Sequence, residues 1–484
     1  MIDLSIAADD FALIREGLAQ LPRASNHTPG QQVDTTKMLV VRDHRAALDP
    51  NRALVVGNRG MGKSFWTHAL ADPTARELAA RTVRELSSTE VHIGFNAGER
   101  VGPVAPTRAA INDALRSGCD PESIWRTVLL RIARTRSIST EAFPESFTQA
   151  AQWTAVNGEQ TDRILTELDD QVASTGSKLL VVFDALDRLG DNWHTTRSLT
   201  QALLKRALAA HSYRAIRLKL FMRRDQFEDL KLFEFPDGSK IRSTRVDLSW
   251  SPDDLFELLF THLKTVDDCK VAFDRLVVNV PANLSAERNR LLVNAIAGEF
   301  MGKGKKRGRV FTWLPLHLSD ARGETSPRTF LTAWSEAAKH SPPPAARSVD
   351  HHGIIEGVRK ASEDRYSELK EDYWWIEPAL NPLRDQAVPM EQPNLKEIWK
   401  ENNTADSILR ESPSRGLAPV QLEDDFGMAP EQALLDALVA IGVFEQRSNG
   451  KVNIPDIFRV EAGIKRRGGV KPPSGNRTTR SSHT

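Results

Sequence analysis

Ala53-Leu54-Val55-Val56-Gly57-Asn58-Arg59-Gly60-Met61-Gly62-Lys63-Ser64-Phe65 is the stretch that decides the fold. Its first four residues are short and apolar and stop at a glycine, the pattern of a buried strand, and a helical pattern runs from Phe65 to residue 70. Between strand and helix, residues 57–64 fit G-x-x-x-x-G-K-[ST] in full. The chemistry needs this spacing. A loop that wraps a phosphate must turn successive backbone N–H groups inward, and glycines permit both the dihedrals and the close approach. The helix that follows adds its positive N-terminal end. Gly57, Asn58, Arg59, Gly60, Met61 and Gly62 form the cradle, with Phe65 at its helical edge. In this pattern Lys63 reaches the β- and γ-phosphates and Ser64 ligates Mg²⁺.

A second carboxylate must hold that Mg²⁺ from the end of a neighbouring strand. Leu179-Leu180-Val181-Val182-Phe183-Asp184 supplies it, because five apolar residues set Asp184 at the carboxyl end of a buried strand, where α/β sheets place their ligands. Asp187, three residues on, either orients the attacking water or helps hold the metal, or else it is a solvated helix residue that pairs with Arg188. Residues 218–222 form another strand, ending in Arg223-Arg224-Asp225. A cation there is placed to sense the γ-phosphate or to neutralise transition-state charge. The sequence does not separate Arg223 from Arg224 in this role, and one of them can instead pair with Asp225. Arg328, after Ser326-Pro327, opens a helix further along and is either a second arginine for the nucleotide or a surface residue.

The 484 residues suggest two to four domains at about 100–200 residues each. Lys and Arg number 65 against 64 Asp and Glu, so no global field favours nucleic acid or membrane, and any such case rests on local patches. Cys119 and Cys269 are the only cysteines and lie far apart, which excludes a zinc ribbon or disulfide framework and fits a reducing cytosol. The acidic start lacks a signal peptide's positive region, and no apolar run approaches 18 residues. The expected location is cytoplasmic, without a membrane partner.

Strands alternating with helices predict an α/β fold, a parallel sheet with helices on both faces. The predicted organisation is an N-terminal helical and irregular segment (1–36), the phosphate-binding core (37–245, with extra helices at about 100–170), a helical lid (246–340), a linker and helical region (341–415), a winged-helix-like α+β domain (416–464) and a disordered basic tail (465–484). The lid starts at Ser251-Pro252, an N-cap followed by proline at the first helical position. In the small domain, a helix over residues 430–441 precedes two strand-like runs joined by Asn449-Gly450, which predicts a type I′ hairpin. Lys303, Lys305, Lys306, Arg307 and Arg309 form a Gly-rich basic loop. That loop and the tail are either phosphate contacts or solvated segments. The helix over 430–441 carries Glu431 and Asp436 and no Lys or Arg, which argues against groove reading and leaves a protein-contact role.

With these residues in hand, the chain resembles the AAA-like and STAND P-loop ATPases, especially the prokaryotic branch related to origin-recognition proteins. The resemblance spans about residues 36–340 and, more loosely, 416–458. Val41-Arg42-Asp43-His44-Arg45 is similar to the family's adenine-side box, which implies that Arg42 packs near the base and that the nucleotide is ATP. Phe183-Asp184-Ala185-Leu186-Asp187 is similar to the STAND form of the metal motif, Phe221-Met222-Arg223-Arg224-Asp225 to a strand-ending sensor arginine, and Pro327-Arg328 to a lid arginine. The chain departs from the family in two places. Ala185 stands where typical members have an acid, which implies slow hydrolysis, and 121 positions separate Lys63 from Asp184, which implies inserted helices. The resemblance implies an ATP-hydrolysing switch that moves a C-terminal winged helix, in a regulatory or bacterial defence setting, with a homo-oligomer or a protein effector as partner. The alternative it implies is a DNA-binding, origin-recognition-like ATPase or loader.

Overall fold

The structure is a computed structural model, and it describes residues 7–22, 33–138, 143–281, 287–423 and 427–467. These divide into two compact units, residues 25–249 and residues 1–24 with 250–484. Helix α1 (Ala8–Ala19) belongs to the second. The first unit runs α2 (Arg45–Leu48), β1 (Leu54–Gly57), α3 (Lys63–Ala71), α4 (Pro73–Ala80), β2 (Thr89–Phe95), α5 (Arg108–Arg116), α6 (Pro121–Thr135), α7 (Phe147–Val156), α8 (Gly158–Ser174), β3 (Lys178–Phe183), α9 (Trp193–Ala209), β4 (Ile216–Arg223), α10 (Arg224–Glu228), α11 (Gly238–Ser243) and β5 (Val246–Asp247).

The sheet is parallel throughout, in the order β2-β3-β4-β1-β5. Parallel neighbours need long crossovers, so helices fill the chain between strands. This is the expected α/β architecture. Residues alternate along each strand, and Leu179, Val181 and Phe183 of β3 share one hydrophobic core with Leu218, Leu220 and Met222 of β4 and with Ile124, Val128, Leu165 and Leu203 of the helices. Helices α6, α8 and α9 pack on β2, β3 and β4 respectively, and α3 packs on β2 and β4. The alternate strand residues Leu180 and Val182 are also fully buried but outside that core, on the face that α3 covers. The extra helices of the sequence reading include α5–α8, and their apolar side chains are part of the sheet's own core.

Three local devices fix the strands. The β2–β3 register slips between Ile93 and Phe95, with Gly94 as the extra residue. A Cβ on Gly94 would lie 2.5 Å from ring atoms of Phe183, so this bulge requires a residue without a side chain. Trp125 closes the same corner, donating its indole N–H to the Leu199 carbonyl at 2.8 Å and meeting the Phe183 ring edge-on at 5.6 Å. At the other end of the sheet, the buried Asp169 carboxylate accepts from the backbone N–H groups of Arg214, Ala215 and Ile216 at 2.8, 2.7 and 3.1 Å, tying α8 to the start of β4. Lys219, fully buried in β4, donates to the carbonyls of Ala47, Asp49 and Arg52 at 2.8, 3.0 and 2.7 Å. The chain before β1 is thereby pinned to the centre of the sheet.

The second unit continues with α12 (Pro252–Leu263), α13 (Asp267–Val278), α14 (Arg288–Ala297), α15 (Val310–Leu318), α16 (Pro327–Lys339), α17 (His351–Asp372), α18 (Ile376–Leu380), β6 (Ala387–Val388), β7 (Met390–Glu391), α19 (Gln392–Glu401), α20 (Thr404–Arg415), α21 (Val420–Glu423), α22 (Pro430–Ala440), β8 (Glu445–Gln446), β9 (Lys451–Asn453), α23 (Asp456–Arg459) and β10 (Lys465–Arg466). Ser251 caps α12 in a reciprocal box with Asp254, as the Ser-Pro start predicts. Helix α1 packs on α13 and α16. Helices α16 and α17 lie close enough that a Cβ on Gly357 would meet the Ala333 carbonyl at 2.1 Å. The stretches read as lid and as linker therefore share a tight helix pair. Helices α19, α20 and α22 pack on one another beside an antiparallel sheet of order β7-β9-β8. No helix among the described residues is long and apolar enough to cross a membrane.

Two expectations are corrected. The β8–β9 turn is not type I′. Only Gly450 has positive φ (79°), and its N–H donates to the Arg447 carbonyl at 2.9 Å while the Arg447 N–H donates to the Lys451 carbonyl at 2.8 Å. This is a three-residue loop with a left-handed glycine at its end. The asparagine instead accepts the Lys451 N–H on its side chain at 3.2 Å. Nor is the start of the basic tail disordered. β10 pairs in parallel with β6, and Lys465 and Arg466 form ion pairs with Asp385 and Asp456 at 2.9 and 3.4 Å. Residues 468–484 lie outside the described residues.

Two outcomes follow from the strand anchors. Gly94→Ala should lower unfolding free energy by about 1–3 kcal/mol through overpacking against a rigid ring, read as a lower urea midpoint. Burial pushes the Lys219 ammonium down to about 7, against about 10 in an unfolded chain. The unfolded state then binds the extra proton across that window, so wild-type stability rises with pH from about 7 to about 10. Lys219→Met should be less stable, because three carbonyls lose their donor, and it should lack this rise. Urea titrations of both proteins at pH 7 and pH 9 check it.

Candidate nucleotide-binding site

Strand order builds the site. β4 lies between β1 and β3, and Gly57 is in register with Arg223. Three strand ends therefore converge: the glycine loop from β1, Arg223 from β4 and Asp184 from β3, whose N–H continues the sheet by donating to the Phe95 carbonyl at 2.9 Å. The loop turns through Gly60 and Gly62, with φ of 82° and 102°, in the left-handed region that favours glycine. Gly62 caps α3, and Met61 beneath the loop is buried.

The Ser64 hydroxyl is near enough to the Asp184 carboxylate to favour its charged form. Ser64 itself is exposed and Asp184 is 4% exposed, so the pair runs from the mouth of the site to its floor. Lys63 Nζ donates to the carbonyls of Gly57 and Asn58 at 2.7 and 2.8 Å. Burial pushes its ammonium down to about 8, opposed chiefly by Asp184, while Arg223 adds to the lowering. Burial raises the Asp184 carboxyl above its ordinary range despite the Ser64 hydroxyl and the Lys63 charge. At Asp187 burial also pushes upward, but Arg223 and Arg188 outweigh it and hold the acid below its ordinary range.

The two arginines that the sequence leaves undivided take different partners. Arg223 donates Nη1 to Asp187 at 3.1 Å, and grips Asp225 through Nε and Nη2 at 3.1 and 3.2 Å. Arg224 reaches Asp247 of β5 at 2.8 Å. Arg223 thus stands beside Lys63 and Asp187, and Arg224 faces the β5 side. Arg328 lies in the second unit, at the start of α16, and pairs with Glu368 of α17 at 2.8 Å. Ahead of β1, Arg42 is exposed in a tight helical turn over Arg42–His44. His44 anchors that turn, with its ring edge-on to Trp66 of α3 at 5.8 Å and Nε2 at 3.0 Å from the Ser249 carbonyl. Phe65 packs edge-on against Trp66 at 5.2 Å. The anchoring role of His44 was not legible in the sequence, because it depends on Ser249 some two hundred residues away.

Among the described residues, no three His, Cys, Asp or Glu side chains gather as a metal site. Mg²⁺ in a triphosphate site asks less of the protein, one or two oxygens with phosphate and water completing the shell. The neighbouring Ser64 hydroxyl and Asp184 carboxylate are hard oxygen donors of that kind, so the residues present fit the ion.

The sequence matches no protein-family model and no curated protein. Among solved structures the chain is similar to the ORC2 protein of Aeropyrum pernix, solved as ADPNP–ADP complexes, at 11% identity over 91% of this chain and 95% of that one, with a TM-score of 0.39. It is similar to a Walker-type ATPase of Pyrococcus abyssi at 14% identity over 88% and 95%, TM-score 0.41, and to Cdc6p of Pyrobaculum aerophilum at 14% identity over 94% and 95%, TM-score 0.31. The strand order, the glycine loop between β1 and α3, and the acid at the tip of β3 give the chain the fold of the P-loop nucleotide triphosphatases.

Proposed function

We propose that this chain binds ATP with Mg²⁺ and hydrolyses it slowly, as a molecular switch whose output is the C-terminal module of α19, α20, α22 and the β7–β9 sheet, read as a winged helix. The observation that carries the reading is the convergence of three strand ends, with the glycine loop after β1, Arg223 on β4 and Asp184 after β3 brought together by the strand order. The Ser64 hydroxyl and the Asp184 carboxylate would hold Mg²⁺, which would supply positive charge against that of the phosphates. Lys63 would hold the β- and γ-phosphates with the loop's N–H groups. Arg223 would meet charge that develops on the γ-phosphoryl group, and Asp187 would hold the attacking water. Asp187 is already tied to Arg223 and kept ionised, and Ala185 offers no second acid. Both features favour slow turnover. Arg42 would lie near the base.

Coupling to the module has a physical route within the second unit. The Ala321 N–H donates to the Gly442 carbonyl at 2.9 Å, Arg322 donates to the Ala440 carbonyl at 3.0 Å, and His317 meets Asp456 at 2.6 Å. The segment between α15 and α16 is therefore tied directly to α22 and α23. Oligomerisation and a separate protein effector belong to this reading.

A second reading, nucleic-acid binding, is favoured by the basic loop. Arg309 pairs with Glu299 and lies over the Phe300 ring. Lys303, Lys306 and Arg307 have no carboxylate partner among the described residues, and Arg307 and Arg347 are close enough to His351 to act on its charge. α22, with Glu431 and Asp436, gives no such support.

ATP binding and turnover test the first reading. Lys63→Ala should weaken ATP binding by about tenfold or more, and Asp184→Asn should keep measurable binding while turnover falls by about a hundredfold. Turnover at the wild-type rate in both variants would refute it. For the second reading, the triple change Lys303→Glu, Lys306→Glu and Arg307→Glu should abolish salt-sensitive DNA retention. Failure of the unaltered protein to bind DNA even at low salt removes that reading.

A further inference from the structure

Arg223 carries more carboxylate contact than a charge sensor needs. Its side chain is 13% exposed and its guanidinium is held on two edges, by Asp225 at Nε and Nη2 and by Asp187 at Nη1. The second acid sits two residues beyond the arginine, in the first turn of α10, where an acidic residue is also favoured simply by the helix dipole. The geometry distinguishes more than that. A paired Nε/Nη2 grip fixes the plane of the guanidinium as well as its position, and this grip leaves the Nη1 edge turned toward Asp187.

We propose that Asp225 is a positioning residue for hydrolysis: it holds Arg223 in the one orientation that presents Nη1 to Asp187 and to the γ-phosphate position, and it acts only through Arg223. This rests on the ATPase reading above. Asp225 touches neither nucleotide nor water in this role. Without it the arginine retains its charge but swings about χ4, so the position of transition-state charge is met less often. Binding of the ground state, which depends on the loop and Lys63, is left alone.

The test is a double-mutant cycle on the full chain, with ATP turnover and binding of a non-hydrolysable ATP analogue measured for each protein. Asp225→Ala should reduce kcat by about 10- to 100-fold, the range for losing an aligned electrostatic group, with analogue affinity within about threefold of wild type. In an Arg223→Ala background, adding Asp225→Ala should cost nothing more, since groups acting as one unit are not additive. Asp225→Asn, which keeps the shape, provides the same cycle if the alanine variant does not fold, and Asp225→Glu should recover part of the rate. Wild-type kcat in Asp225→Ala or Asp225→Asn, or losses that multiply with those of Arg223→Ala, would overturn the proposal while leaving the ATPase reading intact. A wild-type protein that neither binds nor hydrolyses ATP would overturn both.

Discussion

A hydroxyl on the first turn of one helix meets a buried carboxylate at the tip of a strand two places away in the sheet, and the site depends on that contact. β4 lies between β1 and β3, so Ser64 and Asp184 approach each other across about 10 Å of sheet. A serine pointing down from a helix N-terminus and an aspartate pointing up from β3 span that gap, with Arg223 rising from the strand between them.

The charges around that contact alternate: Lys63, Asp184, Arg223, Asp187 and Asp225 each have an opposite charge nearby. A partly buried cluster of this kind is tolerable only because each member is compensated, since an isolated buried charge is costly. The same compensation explains why Asp187 stays ionised though burial opposes it. It also separates two roles that a motif alone merges. Arg223 belongs to the phosphate side, and Arg224 serves the edge of the sheet through Asp247.

Support for the strand tips comes from far along the chain. Phe183, which precedes Asp184, is wedged between Trp125 of α6 and the side-chain-free bulge at Gly94. The helices that lengthen the gap between the phosphate loop and its acid are thus part of what orients the acid. In the second unit, the close α16–α17 pair and the ties from 317–322 to α22 and α23 give the helices and the C-terminal module continuous packing.

The loop at 57–64, the strand before it and the helix after it were fully legible in the sequence, because their signal is local: glycine dihedrals, an apolar run, and a lysine and serine at fixed spacing. The same holds for β3 ending in Asp184, β4 ending in two arginines, and the N-cap at Ser251. What the sequence could not assign was anything set by strand order or by partners distant in the chain. Which arginine faces the acids, what Asp225 grips, what His44 anchors and why Lys219 is buried were all decided by tertiary packing. The hairpin turn at Asn449-Gly450 belongs with these, since one Asn-Gly pair suits several turns and the strand register selects among them. Local chemistry fixes what each segment is able to do. Which side chains share a site depends on the order in which parallel strands are laid side by side, and no short window of sequence contains that order.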